Sequence, residues 1–287
     1  MNTEKVIITS DSTTDLSPEL IERYGVKTLP LGVTLGDKTY RDGVDINADF
    51  IYDYYDKTGV LPKTSATNVA ECAEFFKSLT DEGYSVVHFT ISSDMSATYQ
   101  NSVIAAQDFD NVYVIDTRNL STGGGLLVMY ALDLREKGLS AAEIAQEVQK
   151  VVPNVDASFV IDKLEYLYKG GRCSALAALG ANLLKLKPCI EVKNGKMGVS
   201  KKYRGKFGDV LKTYAAERLE NPDDIMLDRV FITHAGCDEN LVREIADEVG
   251  KILPFKELYI TRAGCTVSSH CGANTLGVLF IRKSPIA

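Results

Sequence analysis

The chain has 287 residues, with 32 basic and 39 acidic side chains, and its formal net charge is −7. Hydrophobic residues make up 45% and charged residues 25%, which is ordinary for a globular protein and excludes a disordered, collagen-like or disulfide-scaffold chain. The acidic balance argues against nucleic acid as the main partner, because phosphate binding favours net positive charge.

The charge is divided unevenly along the chain. Residues 1–155 carry 12 basic and 23 acidic side chains, a balance of −11, whereas residues 156–287 carry 20 and 16, a balance of +4. At roughly 150 residues per domain, the length also predicts two domains. We therefore predict an N-terminal domain over 1–155 and a C-terminal domain over 156–287.

Metal, disulfide and export signals are absent from the sequence pattern. The six cysteines form no C-x-x-C pair, and there are only three histidines, so we predict neither a metal site nor a cofactor. The N-terminal residues contain no long apolar run of the kind found in a signal peptide, and no stretch approaches 18 uninterrupted apolar residues. We expect a cytoplasmic protein with reduced thiols.

The first half of the chain alternates strand and helix patterns. The predicted elements are strands at Lys5–Thr9, Val26–Val33, Tyr84–Ile91 and Val112–Asp116, and helices from Pro18, over Asp49–Lys57, from Thr67 or Asn68 to Leu79, through Ala106, over Gly123–Lys137 and from Ser140 to Val151. Buried strands separated by helices indicate an α/β fold with a mostly parallel sheet flanked by helices. Ligands of such sheets bind at the carboxyl ends of the strands, which directs attention to the loops 10–14, 62–68, 92–98 and 117–122.

The second half has a different pattern. The predicted strands are Ala157–Ile161, Cys189–Val192, Met197–Ser200, Arg229–His234, Glu257–Arg262 and Gly277–Arg282, and the predicted helices are Leu164–Tyr168, Ser174–Lys185, Phe207–Asn221 and Glu239–Leu253. Asn194-Gly195 between two extended runs is a strong hairpin signal. This half is therefore predicted to be α+β with a mixed sheet.

Hydroxyl side chains are concentrated in two of the loops. Thr64 and Ser65 follow Pro62 just before a helix start, where they suit either helix capping or a ligand. The loop 92–98 follows a buried strand and contains four hydroxyls, including Ser93 and Ser96. Hydroxyls beside a helix N-terminus suit an anionic head group, and capping alone does not account for all four.

Two further motifs combine small residues with a group that binds anions. Arg172 follows Gly170-Gly171, which marks either a close approach to a carboxylate or phosphate or the end of a helix followed by a surface arginine. His270 lies in a run of small residues over 268–275, where it is either a structural histidine or a donor to an anion.

Acidic and basic side chains leave two more interpretations open. Asp11, Asp116 and Asp162 each end a predicted strand, either as turn residues or as ligands of Mg²⁺ in phosphoryl transfer. Eight basic residues over 185–206 are opposed only by Glu191; they form either a solvated hairpin face or a docking surface for an acidic partner or an anionic membrane.

Taken together, the motifs resemble the DegV family of bacterial fatty-acid-binding proteins. The matching segments are Asp11-Ser12-Thr13-Thr14-Asp15-Leu16, Pro62-Lys63-Thr64-Ser65, Ile91-Ser92-Ser93-Asp94-Met95-Ser96-Ala97-Thr98-Tyr99, Gly170-Gly171-Arg172 and Ser269-His270-Cys271-Gly272. The chain departs from the family pattern at Ala66-Thr67, Ala97 and Ala273-Asn274, which leaves the polar residues unchanged.

The resemblance implies two α/β domains with one long-chain fatty acid, such as palmitate, stearate or oleate, buried in a cleft between them. It also implies a non-catalytic carrier that presents the carboxylate to a separate ATP-dependent fatty-acid kinase, with the acyl phosphate entering phospholipid synthesis. By position, Thr64, Ser65, Ser93, Ser96 and His270 would bind the lipid, and Arg172 would lie beside the head group.

An enzyme is the alternative function. The aspartates that end the strands, together with His270, would then serve a phosphotransferase or hydrolase acting at the same cleft. The two functions differ in their ligands, because the enzyme requires a metal ion or a nucleotide and the carrier requires a lipid.

Overall fold

A computed structural model describes residues 4–173 and 186–286. Its strands are β1 (Lys5–Asp11), β2 (Lys27–Leu29), β3 (Gly32–Leu35), β4 (Lys38–Arg41), β5 (Lys63–Ser65), β6 (Tyr84–Thr90), β7 (Val112–Asp116), β8 (Val155–Asp156), β9 (Ser158–Ile161), β10 (Lys187–Lys193), β11 (Lys196–Tyr203), β12 (Ile225–Ala235), β13 (Glu257–Arg262) and β14 (Thr275–Arg282). Its α-helices are α1 (Pro18–Tyr24), α2 (Ala48–Thr58), α3 (Val69–Asp81), α4 (Thr98–Ala106), α5 (Thr122–Glu136), α6 (Ala141–Val151), α7 (Glu165–Gly170), α8 (Phe207–Arg218), α9 (Glu239–Ile252) and α10 (Cys265–Cys271). The helix predicted over Ser174–Lys185 lies outside the described residues.

The first sheet is parallel, as predicted. Its four strands run in the order β2-β1-β6-β7, and every neighbouring pair is parallel. The predicted helix starts also hold: Asn68 and Ser140 each form a capping box at the start of α3 and α6. The carboxyl ends of β1 and β6 therefore deliver the loops after Asp11 and Thr90 to one edge of the sheet.

The second sheet is mixed, again as predicted. It has seven strands in the order β11-β10-β9-β14-β12-β13, with β8 paired to β14; β12 and β13 are parallel and the other pairs are antiparallel. The hairpin turn between β10 and β11 has positive φ at both Asn194 and Gly195, the geometry that this dipeptide favours.

A third, smaller sheet was not predicted. The run Val26–Val33, expected to be one strand, is divided at Pro30 into β2, which belongs to the parallel sheet, and β3, which pairs with β4 and β5 in an antiparallel sheet. Proline lacks the N–H that a continuous strand requires, which accounts for the break. The consequence for function is that β5, which carries Thr64, belongs to this small sheet.

Helix α5 joins the parallel and mixed sheets. Eleven of its 15 residues are buried, and it packs against β1 and β6 on one side and against β12 and β14 on the other. One apolar cluster consequently runs through both sheets and includes Ile8, Phe89, Phe231 and Leu279. The change from parallel to mixed sheet falls between β7 and β8; the domain boundary at 155/156 stays a prediction.

None of the helices within the described ranges is long and apolar enough to cross a membrane.

Candidate functional site

A cavity lies between the loops of the parallel sheet and helices α7 and α10. Part of its wall is apolar, formed by side chains such as Leu31, Ile91, Leu120 and Leu167. The rest carries polar groups, and five of the six site residues predicted from the sequence are among them: Thr64, Ser65, Ser96, Arg172 and His270.

Thr64 and His270 form the polar centre of this cavity. The Oγ1 atom of Thr64 lies 2.8 Å from Nε2 of His270, although the two residues are 206 positions apart. Thr64 is on β5 of the small sheet, and His270 is in the last turn of α10. The fold therefore brings together two residues that the sequence shows only as separate motifs.

His270 is neutral at pH 7. Burial, and to a lesser degree the charge of Arg172, lowers its pKa to about 4. Its Nδ1 atom is buried without a hydrogen-bond partner, so the ring forms its hydrogen bond to Thr64 alone. In the tautomer protonated at Nε2, the ring donates to Thr64 and leaves the threonine proton free for a ligand.

The serines of the loop 92–98 have different environments. Ser96 lines the cavity, and its Oγ lies 2.9 Å from Oγ1 of Thr98 at the start of α4. Ser93 is not part of the cavity wall; its Oγ accepts a hydrogen bond of 2.9 Å from Nη1 of Arg118. Ser92 is buried and donates a 2.7 Å hydrogen bond to the carbonyl oxygen of Gly195 in the hairpin turn.

Arg172 lies at the rim of the cavity. It follows the left-handed Gly171 that ends α7, and its Nη1 donates to the carbonyl oxygen of Gly170 at 2.9 Å. The side chain is exposed, which leaves its remaining donors directed to solvent or to a ligand. Gly170 also permits close packing, since a Cβ atom there would lie 2.5 Å from Nδ1 of His270.

A second cavity adjoins the first. The two share the wall residues Leu120, Val267 and Cys271, and the second is lined mainly by apolar side chains such as Phe159 and Leu279 of the mixed sheet. A polar cavity therefore lies next to an apolar one.

Two buried carboxylates hold the helix that carries His270. Asp15 accepts the backbone N–H of Gly264 at 2.8 Å, and Asp42 accepts those of Cys265 and Thr266 at 2.8 and 3.0 Å. These three donors form the N-terminal end of α10, which has no other cap. Burial raises the pKa of Asp15 to about 8, and the nearby charge of Asp42 also raises it.

Sequence reasoning assigned no role to these two aspartates. Asp15 belongs to a quoted motif, but its partner Gly264 is 249 positions away, and nothing local marks Asp42. The aspartates that end strands accept backbone N–H groups of their own and the neighbouring loop: Asp11 caps the turn Ser12–Thr14 and accepts from Ile91, and Asp116 accepts from Ser93 and Arg118.

Asp162, the third of these aspartates, is ion-paired with Lys187. Among residues 4–173 and 186–286, no three His, Cys, Asp or Glu side chains are grouped as a metal site requires.

Four basic residues of the segment over 185–206 form ion pairs with acidic side chains. Lys187, Lys193, Lys196 and Lys201 each form an ion pair with Asp162, Glu191, Asp94 and Glu217 respectively. Lys202, Arg204 and Lys206 remain exposed on the hairpin and the segment after it. Lys185 lies outside the described residues.

A sequence model described as "Uncharacterised protein, DegV family" matches residues 5–283. The chain belongs to the DegV family. A DegV domain-containing protein of Clostridium acetobutylicum is 33% identical over 287 residues, which cover 98% of this chain and 99% of the relative. The family predicted from the five motifs is thereby confirmed.

Solved structures of DegV proteins share the fold. A fatty-acid-binding DegV protein of Thermus thermophilus superposes with a TM-score of 0.87 at 29% identity, covering 97% of this chain and 99% of that one. A stearic-acid-binding protein of Eubacterium ventriosum gives 0.86 at 30% identity, covering 97% and 98%. A fatty-acid-binding DegV protein of Bacillus subtilis gives 0.84 at 25%, covering 98% and 100%.

Proposed function

We propose that this DegV protein binds one long-chain fatty acid, such as palmitate, stearate or oleate. The carboxylate lies at the Thr64–His270 pair, and the acyl chain passes from the polar cavity into the apolar one. The observation that carries the proposal is the 2.8 Å contact between Thr64 and His270 at the head of two adjoining cavities. The fatty-acid-binding relatives from Thermus and Eubacterium support it.

The apolar cavity supplies the affinity. Burying about 14 methylenes of a C16 acid at ~0.8 kcal/mol each contributes roughly 11 kcal/mol before costs. Loss of translational freedom and ordering of the chain subtract several kcal/mol. The remainder supports micromolar or tighter binding.

Neutral donors receive the carboxylate. A carboxylate removed from water requires hydrogen bonds, and the hydroxyl groups of Thr64 and Ser96 provide them without a buried counter-ion. Ser65 lines the same cavity, and Ser93 supports the loop from outside it. Arg172, exposed at the rim, faces an approaching partner as well as the head group.

The protein is a carrier rather than an enzyme in this proposal. A separate ATP-dependent fatty-acid kinase phosphorylates the bound carboxylate in the cytoplasm, and Arg172 stabilises the phosphate that forms. The exposed Lys202, Arg204 and Lys206 provide a transient contact with an anionic membrane, where the acyl phosphate enters phospholipid synthesis.

Mass spectrometry of the purified protein tests the binding proposal. Organic extraction is expected to release a long-chain fatty acid in near-equimolar amount, and the delipidated protein is expected to take up palmitate. Thr64→Val is expected to weaken palmitate binding roughly 10- to 100-fold, because a hydrogen bond to a charged group is lost. Thr39→Val, an exposed threonine of the same small sheet, is the matched control.

Two results would contradict the proposal. One is the absence of both co-purified lipid and palmitate uptake. The other is an equal affinity of the Thr64→Val and Thr39→Val variants for palmitate. This result would show that the carboxylate does not bind at Thr64. Stabilisation by ATP and Mg²⁺ but not by palmitate would instead favour a phosphotransferase or hydrolase.

A further inference from the structure

Some buried polar atoms without partners lie on the walls of the cavities. In the described residues, eight buried side-chain nitrogen and oxygen atoms have no hydrogen-bond partner. Three of the eight belong to residues that line the cavities, namely His234, Thr266 and His270. Because native proteins leave few such groups unpaired, a cluster of them at a cavity indicates that a ligand completes the hydrogen bonds.

Thr266 lines the polar cavity together with His270, but neither the sequence nor the family resemblance suggests a role for it. Its side chain lines the polar cavity and is 4% exposed. Its backbone N–H is bound to Asp42 at 3.0 Å, but its hydroxyl oxygen has no partner. A valine would fill the same space without the cost of a buried, unpaired hydroxyl.

Thr266 and His270 share one face of α10. They are four residues apart, so their side chains lie one above the other along the helix. Helical side chains lean toward the N-terminus, which places the imidazole over the turn that contains Thr266. Since His270 contacts Thr64, the hydroxyl of Thr266 lies on the cavity wall beside the head-group pair.

We propose that Thr266 is a further head-group ligand, whose hydroxyl donates a hydrogen bond to an oxygen of the bound carboxylate. This inference rests on the proposed fatty-acid function. A carboxylate has two oxygens and about four acceptor positions, so the donors at Thr64 and Ser96 leave room for a third.

The isosteric variant Thr266→Val tests the proposal, because it is expected to raise thermal stability and to lower the affinity for palmitate. In delipidated protein, it is expected to raise the Tm by about 1–3 °C, because an unpaired buried hydroxyl is removed. Its affinity for palmitate, measured by calorimetric titration, is expected to fall roughly 10- to 100-fold. The loss should be equal for myristate, palmitate and stearate, since the contact is at the head and not along the chain.

Thr9→Val is the matched control. Thr9 is also fully buried on β1, but its hydroxyl is bonded to Nδ1 of His88 at 2.9 Å and it lines neither cavity. This variant is expected to lower the Tm and to leave palmitate affinity within about twofold.

Each outcome identifies which idea fails. If wild-type protein binds no fatty acid, the proposed function is wrong. If wild type binds palmitate and Thr266→Val binds it equally well, Thr266 is not a ligand. If Thr266→Val lowers the Tm of the lipid-free protein, the hydroxyl already has a partner and the inference is overturned.

Discussion

At the scale of single residues, the proposed head-group site contains an uncharged histidine. Burial lowers the pKa of His270 to about 4, so the cavity presents no fixed positive charge except the exposed Arg172 at its rim. This arrangement allows an acid to bind through hydrogen bonds while its oxygen stays available for reaction. It also makes the site sensitive to any change in the charge near the imidazole.

The titration of His270 gives a direct measurement of this environment. The pKa in lipid-free protein, followed by NMR of the ring, is expected near 4. Bound palmitate should raise it because a carboxylate favours the imidazolium, and Arg172→Ala should raise it because a like charge is removed. A pKa near 6.5 in the lipid-free protein would contradict the buried environment.

The same pKa predicts how stability depends on pH. The folded pKa of about 4 lies below the ordinary value of 6.5, so in that window the unfolded chain binds a proton that the folded protein does not. The contribution of His270 to stability is therefore present above pH 6.5 and is lost as the pH falls toward 4. His88, buried beside Thr9, has a pKa lowered to about 3 and acts in the same direction.

Gly170 is a second residue on which the head group depends. A Cβ atom at this position would lie 2.5 Å from Nδ1 of His270, so Gly170→Ala is expected to displace the imidazole from Thr64 and weaken palmitate binding about tenfold or more. Gly198→Ala is the control, because no atom lies within 4 Å of a Cβ there. Equal affinities in a titration of both variants would show that the position of His270 does not limit binding.

At the scale of elements, α10 is held mainly from its N-terminal end. Asp15 reaches it from the turn after β1, and Asp42 from the loop after β4 of the sheet that carries Thr64. Asp42 therefore connects the two elements whose side chains meet at the head group. A buried carboxylate on a helix N-terminus satisfies donors that would otherwise be unpaired.

The variant Asp15→Asn removes the titratable charge of Asp15 but keeps its hydrogen bonds. The amide can still accept from Gly264 and can donate to the hydroxyl of Ser121, which lies 2.5 Å from the native carboxylate. The folded pKa of about 8 exceeds the ordinary 3.8, so Asp15 costs stability progressively as the pH rises from about 4 to 8.

Denaturant unfolding measured at several pH values checks this effect. The Asn variant should gain stability relative to wild type between pH 4 and pH 8, whereas Asp15→Ala should be less stable than the Asn variant throughout. A constant difference between wild type and the Asn variant would mean that Asp15 titrates normally.

Elements with a strong local pattern were predicted well, and contacts between distant elements were not. The period of apolar residues and the caps at Asn68 and Ser140 predicted α3 and α6, because both signals lie within a few residues. The small sheet was missed because β5 pairs with β3 across about 30 residues, and short strands have little pattern of their own.

The candidate site was predicted only in part for the same reason. Thr64 and His270 were candidates from their local sequence and received a lipid-binding role from the family resemblance, but nothing in their local sequence shows that their side chains meet. Asp42 and Thr266 had no signal at all, since a buried aspartate and a buried threonine become recognisable only when the partners of each polar atom are known.

At the scale of the whole molecule, the two large sheets share one core through α5, and separate polar contacts also join the loop after β6 to the hairpin of the mixed sheet. Met95, in the loop after β6, and Met197, in the hairpin of the mixed sheet, both line the cavity. The Ser92–Gly195 hydrogen bond and a hydrogen bond from Arg118 to the carbonyl of Asn194 join this loop region to the hairpin turn.

We expect that breaking these contacts lets the loop that carries Met95 move away from the hairpin that carries Met197. Arg118 also pairs with Asp94 at 2.6 Å, so one side chain holds both the loop and the hairpin. Because its contacts are polar and partly exposed, they cost less to break than the apolar core between the sheets. Arg118→Ala is therefore expected to speed palmitate release about threefold or more, with little change in Tm.

Stopped-flow release of a fluorescent fatty acid measures this rate. Arg243→Ala, which removes an exposed pair with Glu239 on α9, provides a control of equal charge change far from the contact with the hairpin. If both variants release the fatty acid equally fast, the lipid does not leave past the contact made by Arg118. Faster release together with a large fall in Tm would show that Arg118 stabilises the fold as a whole. The effect on release would then come from general destabilisation and not from the contact with the hairpin.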